Sequence, residues 1–256
     1  MQPYTKPEDS GFSKQKLVVA LHGLNNGPPQ FSKILDELEH INDFSDMALY
    51  VPCLEEKGNA KLDDIVRPIL KSIKSWAKDP KDKELILLGV SNGARVAEDI
   101  LAQLLITKSV ENITQLQLIS IVGANQGSFL ASVAESLGLS RLFLSKNIAT
   151  EMPLDSARNQ RLKQELQEGI NNYPNLKISY TFIAAPYYSD WQVPNYSSTL
   201  MPVDPRHTSC YAIIGDEGHN SIVNRSAKAI ASFITGSHPF ASFSDKSQAL
   251  LEPQAT

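Results

Sequence analysis

The chain has 256 residues, a formal net charge of −4 and a pI near 5.8, enough for one large domain or two small ones. Hydrophobic residues make up 42% and charged residues 20%, so a sizeable buried core is expected and disorder is not. The basic residues are scattered, which excludes a phosphate-tracking stripe and gives no reason to expect a nucleic-acid partner. The only cysteines, Cys53 and Cys210, exclude a disulfide framework and a four-ligand zinc site, and each reads as a small buried or half-buried residue.

Residues 1–15 read as an N-terminal extension rich in Pro, Lys, Glu and Ser, without the apolar run of a signal peptide. Leu17 to Leu21 is the first buried strand, and Phe31, Ile34, Leu35 and Leu38 then share one helix face. A second strand, Ala48 to Val51, precedes a stripe of Leu62, Ile65, Val66, Ile69, Ile73 and Trp76. Pro68 is expected near the first turn of that helix or at a kink. Leu85 to Leu88 is the third strand, followed by the stripe Ala97, Ile100, Leu101 and Leu104. Further strands are expected at Leu116 to Val122, Ile178 to Ala184 and Tyr211 to Ile214, before a last stripe of Val223, Ala227, Ile230 and Ile234. Unalternated Val, Ile and Leu runs between amphipathic helices predict an α/β chain with a doubly wound, mostly parallel sheet spanning 16–236.

The stretch from about 125 to 173 exceeds the needs of one crossover. It predicts an insertion over the strand ends, with one apolar-faced helix (Phe129, Leu130, Val133, Leu137) and one polar helix with a thin stripe (Leu162, Leu166, Ile170). The first stripe reads either as core packing or as an acyl-binding lid. Residues 237–256 read as a loosely held tail. With no run of ~20 apolar residues there is no integral membrane segment to expect. A soluble protein is expected, cytoplasmic or exported without a classical signal peptide.

The chemistry starts at Gly89-Val90-Ser91-Asn92-Gly93, a Gly-x-Ser-x-Gly directly after a strand and directly before a helix. A serine on that tight turn projects its hydroxyl above the sheet, and flanking glycines let the chain double back. The hydroxyl needs a base. His219, in Gly215-Asp216-Glu217-Gly218-His219-Asn220, lies past the last strand at the end of the sheet where Ser91 sits. His40 falls on an early polar helix face, His238 in the tail, and His207 is the least implausible alternative base. A carboxylate must fix the histidine's tautomer, and on such elbows it lies between serine and histidine in chain order. Asp190 follows the strand Ile178 to Ala184. Asp155 and Asp204 do not directly follow a strand, and Asp216 shares the histidine's own loop. His22-Gly23-Leu24 after the first strand and Asn92 after the serine would supply two backbone N–H donors, from Leu24 and Asn92, to an oxyanion. His22 itself reads as a structural hydrogen-bonding residue. No His, Cys or carboxylate cluster has ligand spacing, so neither metal nor cofactor is expected.

The order His-Gly, Gly-x-Ser-x-Gly, Asp and His resembles the α/β-hydrolase superfamily from Leu17 to Ile234. Asp190-Trp191-Gln192-Val193-Pro194-Asn195-Tyr196-Ser197-Ser198 is similar to the acid loop of lipases, and Gly218-His219-Asn220-Ser221-Ile222 to their histidine loop. Gly123-Ala124-Asn125-Gln126-Gly127-Ser128 sits where many lipases carry Gly-x-Pro-x-x-Gly-Ser, here without the proline. Val90 replaces a frequent histidine, and Asn92 a frequent Met or Gln. The resemblance implies a serine esterase acting on lipid or short-chain esters through an acyl-enzyme, on a sheet without the leading antiparallel strands of larger members. A thioesterase or an acyltransferase would use the same residues, and a non-catalytic binding protein on the same fold is the reading from another class. The oligomeric state stays open.

Overall fold

The computed structural model describes residues 14–40, 47–78, 83–125, 127–128, 145–153, 156–185, 208–213 and 218–236. Six strands form one sheet: β1 (Lys16–Leu21), β2 (Met47–Tyr50), β3 (Lys83–Val90), β4 (Ile113–Ile121), β5 (Lys177–Ala184) and β6 (Thr208–Ile213). Their order is β2-β1-β3-β4-β5-β6, and every pairing is parallel. The helices are α1 (Ser32–His40), α2 (Leu62–Trp76), α3 (Asn92–Ile106), α4 (Lys146–Glu151), α5 (Ala157–Asn171) and α6 (Ile222–Thr235).

Both faces of the sheet are apolar because both are covered. Leu17, Val19, Leu21, Leu85, Leu87, Leu116 and Leu118 point to one face, where the apolar sides of α2, α3 and α5 meet them. Val18, Ala20, Ile86, Leu88, Val90, Ile119 and Ile121 point to the other and pack on α1 and α6. The six expected strands and five of the six expected stripes are present among these elements, including Leu162, Leu166 and Ile170 on α5. Helix α5 packs against α3 as the crossover helix between β4 and β5. The stripe Phe129, Leu130, Val133 and Leu137 lies outside the described residues, as do 1–13 and the tail 237–256.

Two expectations differ from the structure. Pro68 sits in the second turn of a continuous helix and not in its first. The position is exposed, so the carbonyl left without an N–H partner can bond to water. Cys53 is exposed and not buried, since the chain leaving β2 turns Leu54 into the core and Cys53 outward. The side chain of Cys210 is outside the described set.

A buried polar cluster fastens α3 to α4 and α5. Arg95 donates from Nε to Asn159 Oδ1 (2.7 Å) and from Nη2 to the Glu151 carbonyl (2.7 Å), and burial brings its pKa down to about 10. Arg158 pairs with Asp99 at 2.6 Å. Glu98, 2% exposed, is held well above the ordinary carboxylate value by burial, which Arg95 and Lys163 offset only in part. A carboxyl raised in the folded state stabilises the fold below its ordinary pKa, and that contribution is lost as pH rises through the folded value. Glu98→Gln, which removes the titration, should therefore gain melting temperature over the parent between pH 5 and pH 8. An unchanged difference at both pH values in thermal melts would contradict this.

Candidate active site

Chain direction from β1 diverges on either side of the sheet: β2 pairs on one edge of β1 and β3 on the other. A crevice opens at the carboxyl ends of strands flanking such a switch point. The register pairs Leu21 with Gly89, so Gly23 and Ser91 each stand two residues beyond the same rung. They meet there: a Cβ on Gly23 would lie 3.2 Å from Ser91 Cβ.

Ser91 adopts φ 54°, ψ −120°, a conformation that L-residues rarely take. Four backbone hydrogen bonds hold it and its surroundings. Ser91 N–H donates to the Ile121 carbonyl (3.0 Å), and the Ser91 carbonyl accepts from Ala94 (3.1 Å) and Ala124 (3.1 Å). Val122, itself at φ 41°, donates to Ile183 at 2.7 Å. The turn is possible because two side chains are missing. A Cβ on Gly89 would stand 2.3 Å from Ala94 Cα, and one on Gly93 would stand 2.0 Å from the Leu21 carbonyl oxygen.

The first turn of a helix leaves its N–H groups without intrahelical acceptors. Asn92 N–H is one of these. Neither it nor Leu24 N–H donates to an acceptor among the described residues. The loop carrying Leu24 is fixed on both sides. Gly23 N–H donates to Gln30 Oε1 (2.9 Å), and Asn25 N–H to the Lys57 carbonyl (2.9 Å). His22 is 1% exposed; its Nδ1 lies 2.8 Å from the Gly23 carbonyl and its Nε2 accepts from Leu54 N–H at 3.1 Å. A carbonyl only accepts and an N–H only donates, so the ring is the neutral Nδ1–H tautomer. Burial lowers its pKa, the Gly23 bond opposing in part. With both nitrogens occupied, His22 has the structural role its sequence context suggested.

His219 follows β6 in the turn before α6 and is half-buried. Helix α6 packs on α1 and β4, and Ile222 and Val223 at its start join the cluster of Val90, Ile121 and Val122. That packing carries the chain from the β6 edge back toward the strand bearing Ser91. His40 is exposed, with Nδ1 2.5 Å from the Asp36 carbonyl. Asp190, Asp216, Asp155, Asp204, His207 and His238 lie outside the described residues.

Several neighbours of the site escaped the sequence reading. Ile148 and Met152, from α4 and its end, pack against Leu24. Glu151 Oε2 accepts from Leu62 N–H (3.0 Å), and the Asn59 carbonyl accepts from Ser145 Oγ (3.1 Å) and Asn147 Nδ2 (3.3 Å). Helix α4 is thereby clamped over the loop that borders Leu24. The pattern Ile148–Met152 is an i, i+4 pair, a signal too short to separate from chance in one sequence.

An all-parallel doubly wound sheet with a strained serine turn at its switch point is a specific architecture. The chain has the α/β-hydrolase fold. Its solved counterparts include a gene product of Listeria innocua, 15% identical, with a TM-score of 0.51 over 86% of this chain and 94% of that one. Est1E of Butyrivibrio proteoclasticus, solved with ferulic acid bound, is 15% identical with a TM-score of 0.50 over 87% of this chain and 90% of its own. Phospholipase PlaB of Legionella pneumophila is 16% identical with a TM-score of 0.43 over 65% of this chain, which spans only 39% of that protein. At these identities the first two likenesses speak for the fold alone. No family model and no curated protein matches the chain.

The missing side chains at the elbow make a direct test. Gly93→Ala drives a methyl into the β1 backbone and should destabilise the fold by roughly 3 kcal/mol or more. A thermal melt within about 2 °C of the parent would contradict the close approach of α3 and β1.

Proposed function

We propose that the chain is a serine hydrolase of carboxylic esters, with Ser91 as nucleophile, His219 as general base and Asp190 as the carboxylate orienting the histidine. The observation that carries the reading is the strained Ser91 turn (φ 54°, ψ −120°) beside Gly23, with Leu24 N–H and Asn92 N–H both without an acceptor among the described residues. Strain of this kind persists where surrounding structure over-determines it, and it clusters at working sites.

In the first step Ser91 Oγ attacks the ester carbonyl carbon while His219 takes the hydroxyl proton. The carbonyl oxygen becomes an oxyanion that accepts from Leu24 and Asn92 N–H, each such donor being worth about 3–4 kcal/mol in comparable sites. Collapse breaks the bond to the leaving alcohol, which receives the proton from His219. Water then attacks the acyl-enzyme by the same route, releasing the acid and restoring Ser91. Leu24, Ile148 and Met152 form an apolar patch at the oxyanion loop, which supports an acyl or lipid ester as substrate. Helix α4 is thus proposed as one wall of the site, beside the sequence-assigned stripe of Phe129, Leu130, Val133 and Leu137, which lies outside the described residues.

Three variants and one probe test the nucleophile and acid. Ser91→Ala should abolish fluorophosphonate labelling and ester hydrolysis while folding stays intact; full labelling would move the nucleophile elsewhere. On one chromogenic ester, Asp190→Asn should lose at least about a hundredfold in kcat, against the ~10⁴-fold of a well-studied triad. Asp216→Asn should lose less than about tenfold, and a reversed ranking would transfer the acid role to Asp216.

The wall is tested by chain length. Leu24→Asn, at the half-buried member of this patch, should reduce hydrolysis of decanoate esters at least about tenfold more than that of acetate esters, because a polar side chain then borders the acyl chain while the backbone N–H is kept. Equal losses for both would leave the Leu24 side chain a packing group only.

A further inference from the structure

Between β2 and α2 the chain makes a left-handed turn, Glu55–Gly58. Glu56 (φ 49°, ψ 35°), Lys57 (φ 53°, ψ 38°) and Gly58 (φ 84°) follow one another in the left-handed region, which places Cβ too close to the next carbonyl for residues other than glycine. Runs of this kind need external support, and the hydrogen bonds of this turn provide it. Lys57 N–H donates to the Leu54 carbonyl (2.9 Å), and Asn59 donates to the Glu56 carbonyl from its backbone (3.1 Å) and from Nδ2 (3.1 Å). The Lys57 carbonyl accepts from Asn25 N–H, and the Gly58 carbonyl accepts from Asn92 Nδ2 (3.1 Å).

The donors of the last two bonds are Asn92, next to Ser91, and Asn25, next to Leu24. Gly58 backs directly onto Leu24: a Cβ there would stand 3.6 Å from the Gly23 carbonyl oxygen and 3.7 Å from Leu24 Cα. Asn92 is 1% exposed, so a bond lost there is not replaced by water. Its amide orientation follows from its partner, since a carbonyl oxygen can only accept. Asn92 Oδ1 has no partner among the described residues, so the side chain is held through the Gly58 bond.

We propose that the Asn92 side chain is a positioning residue: by holding the Gly58 carbonyl it locks the left-handed turn beneath Gly23–Asn25 and sets the height of the Leu24 N–H. One residue then supplies one oxyanion donor from its backbone and registers the other through its side chain. The two donors move together because both are tied to the first residue of α3. This rests on the hydrolase reading, in which those two N–H groups receive the oxyanion.

The test compares the parent chain with Asn92→Ala and with Asn92→Leu, which keeps the branched shape but lacks the donor. Each is measured for thermal melting, fluorophosphonate labelling, kcat and KM on p-nitrophenyl acetate, and affinity for a trifluoromethyl ketone, which forms an oxyanionic adduct with a serine. Removing an oxyanion donor outright costs about 10²–10³ in kcat, and misplacing one should cost on the order of tenfold or more. KM should stay within about twofold, and ketone affinity should fall by the same factor as kcat/KM. If neither Asn92 variant melts cooperatively, Gly58→Ala, which strains the other end of the same link, carries the test with the same expectation. Variants that keep kcat within about twofold of a labelled parent overturn the proposal alone, as does a kcat loss with unchanged ketone affinity. A parent chain that is neither labelled nor active on any ester overturns the hydrolase reading and the proposal with it.

Discussion

The site depends on a backbone-to-backbone contact at the centre of the sheet. The first turn of α3 rests on the end of β1, with Gly93 against the Leu21 and His22 carbonyls and Gly89 against Ala94. Neither contact leaves room for a methyl group, so the elbow closes to a depth that any other residue would prevent. The register of β1 on β3 then decides what stands beside the serine, because Leu21 and Gly89 share a rung and the next residues of both strands rise together. A one-residue slip would bring a different residue of the β1 loop beside Ser91 and turn the apolar side chains of β1 to the opposite faces.

Strain is concentrated at this end of the molecule. The described residues other than glycine with positive φ are Asn25, Glu56, Lys57, Ser91, Val122 and Lys108, and all but Lys108 lie on loops at the carboxyl ends of β1, β2, β3 and β4. Such conformations survive only against a rigid support. That support is the pair of apolar layers: α3 is buried over nearly its whole length between the sheet, α2 and α5, and α6 returns over β4 to pack beside α1. The polar cluster of Arg95, Asn159 and the Glu151 carbonyl ties α3 to α4, so the helix that follows the Ser91 turn also anchors the helix packed on Leu24. The elbow, its neighbouring loop and the α4 wall thus form one mechanical unit.

The strands, the four sequence-assigned stripes of α1, α2, α3 and α6, the α5 stripe and the Gly-x-Ser-x-Gly turn were legible because each is a local pattern. Period-3.6 stripes, unbroken Val/Ile/Leu runs and glycines flanking a serine report the environment of their own residues. His22 was legible as structural for the same reason, its sequence position next to a strand end giving it backbone partners. Pro68 and Cys53 were misjudged where the outcome turned on exposure at one position, which a stripe or a composition does not specify. Asp190 is preferred to Asp216 because Asp216 stands three residues before His219 on the same loop, whereas Asp190 follows a different strand.

The sequence by itself determined the α/β layering and the place of the serine, since both follow from burial periodicity and from residues that tolerate a sharp turn. Only the tertiary structure decided what surrounds the serine. Glu56 and Lys57 carry no mark of a left-handed conformation; they adopt it because Asn25, Asn59 and Asn92 hold the surrounding carbonyls. Ile148 and Met152 reach Leu24 across more than a hundred residues of chain, through a helix clamped by Asn59, Leu62 and Arg95. Contacts of that kind are set by where packed layers bring distant loops together, and no local pattern in either loop encodes its partner.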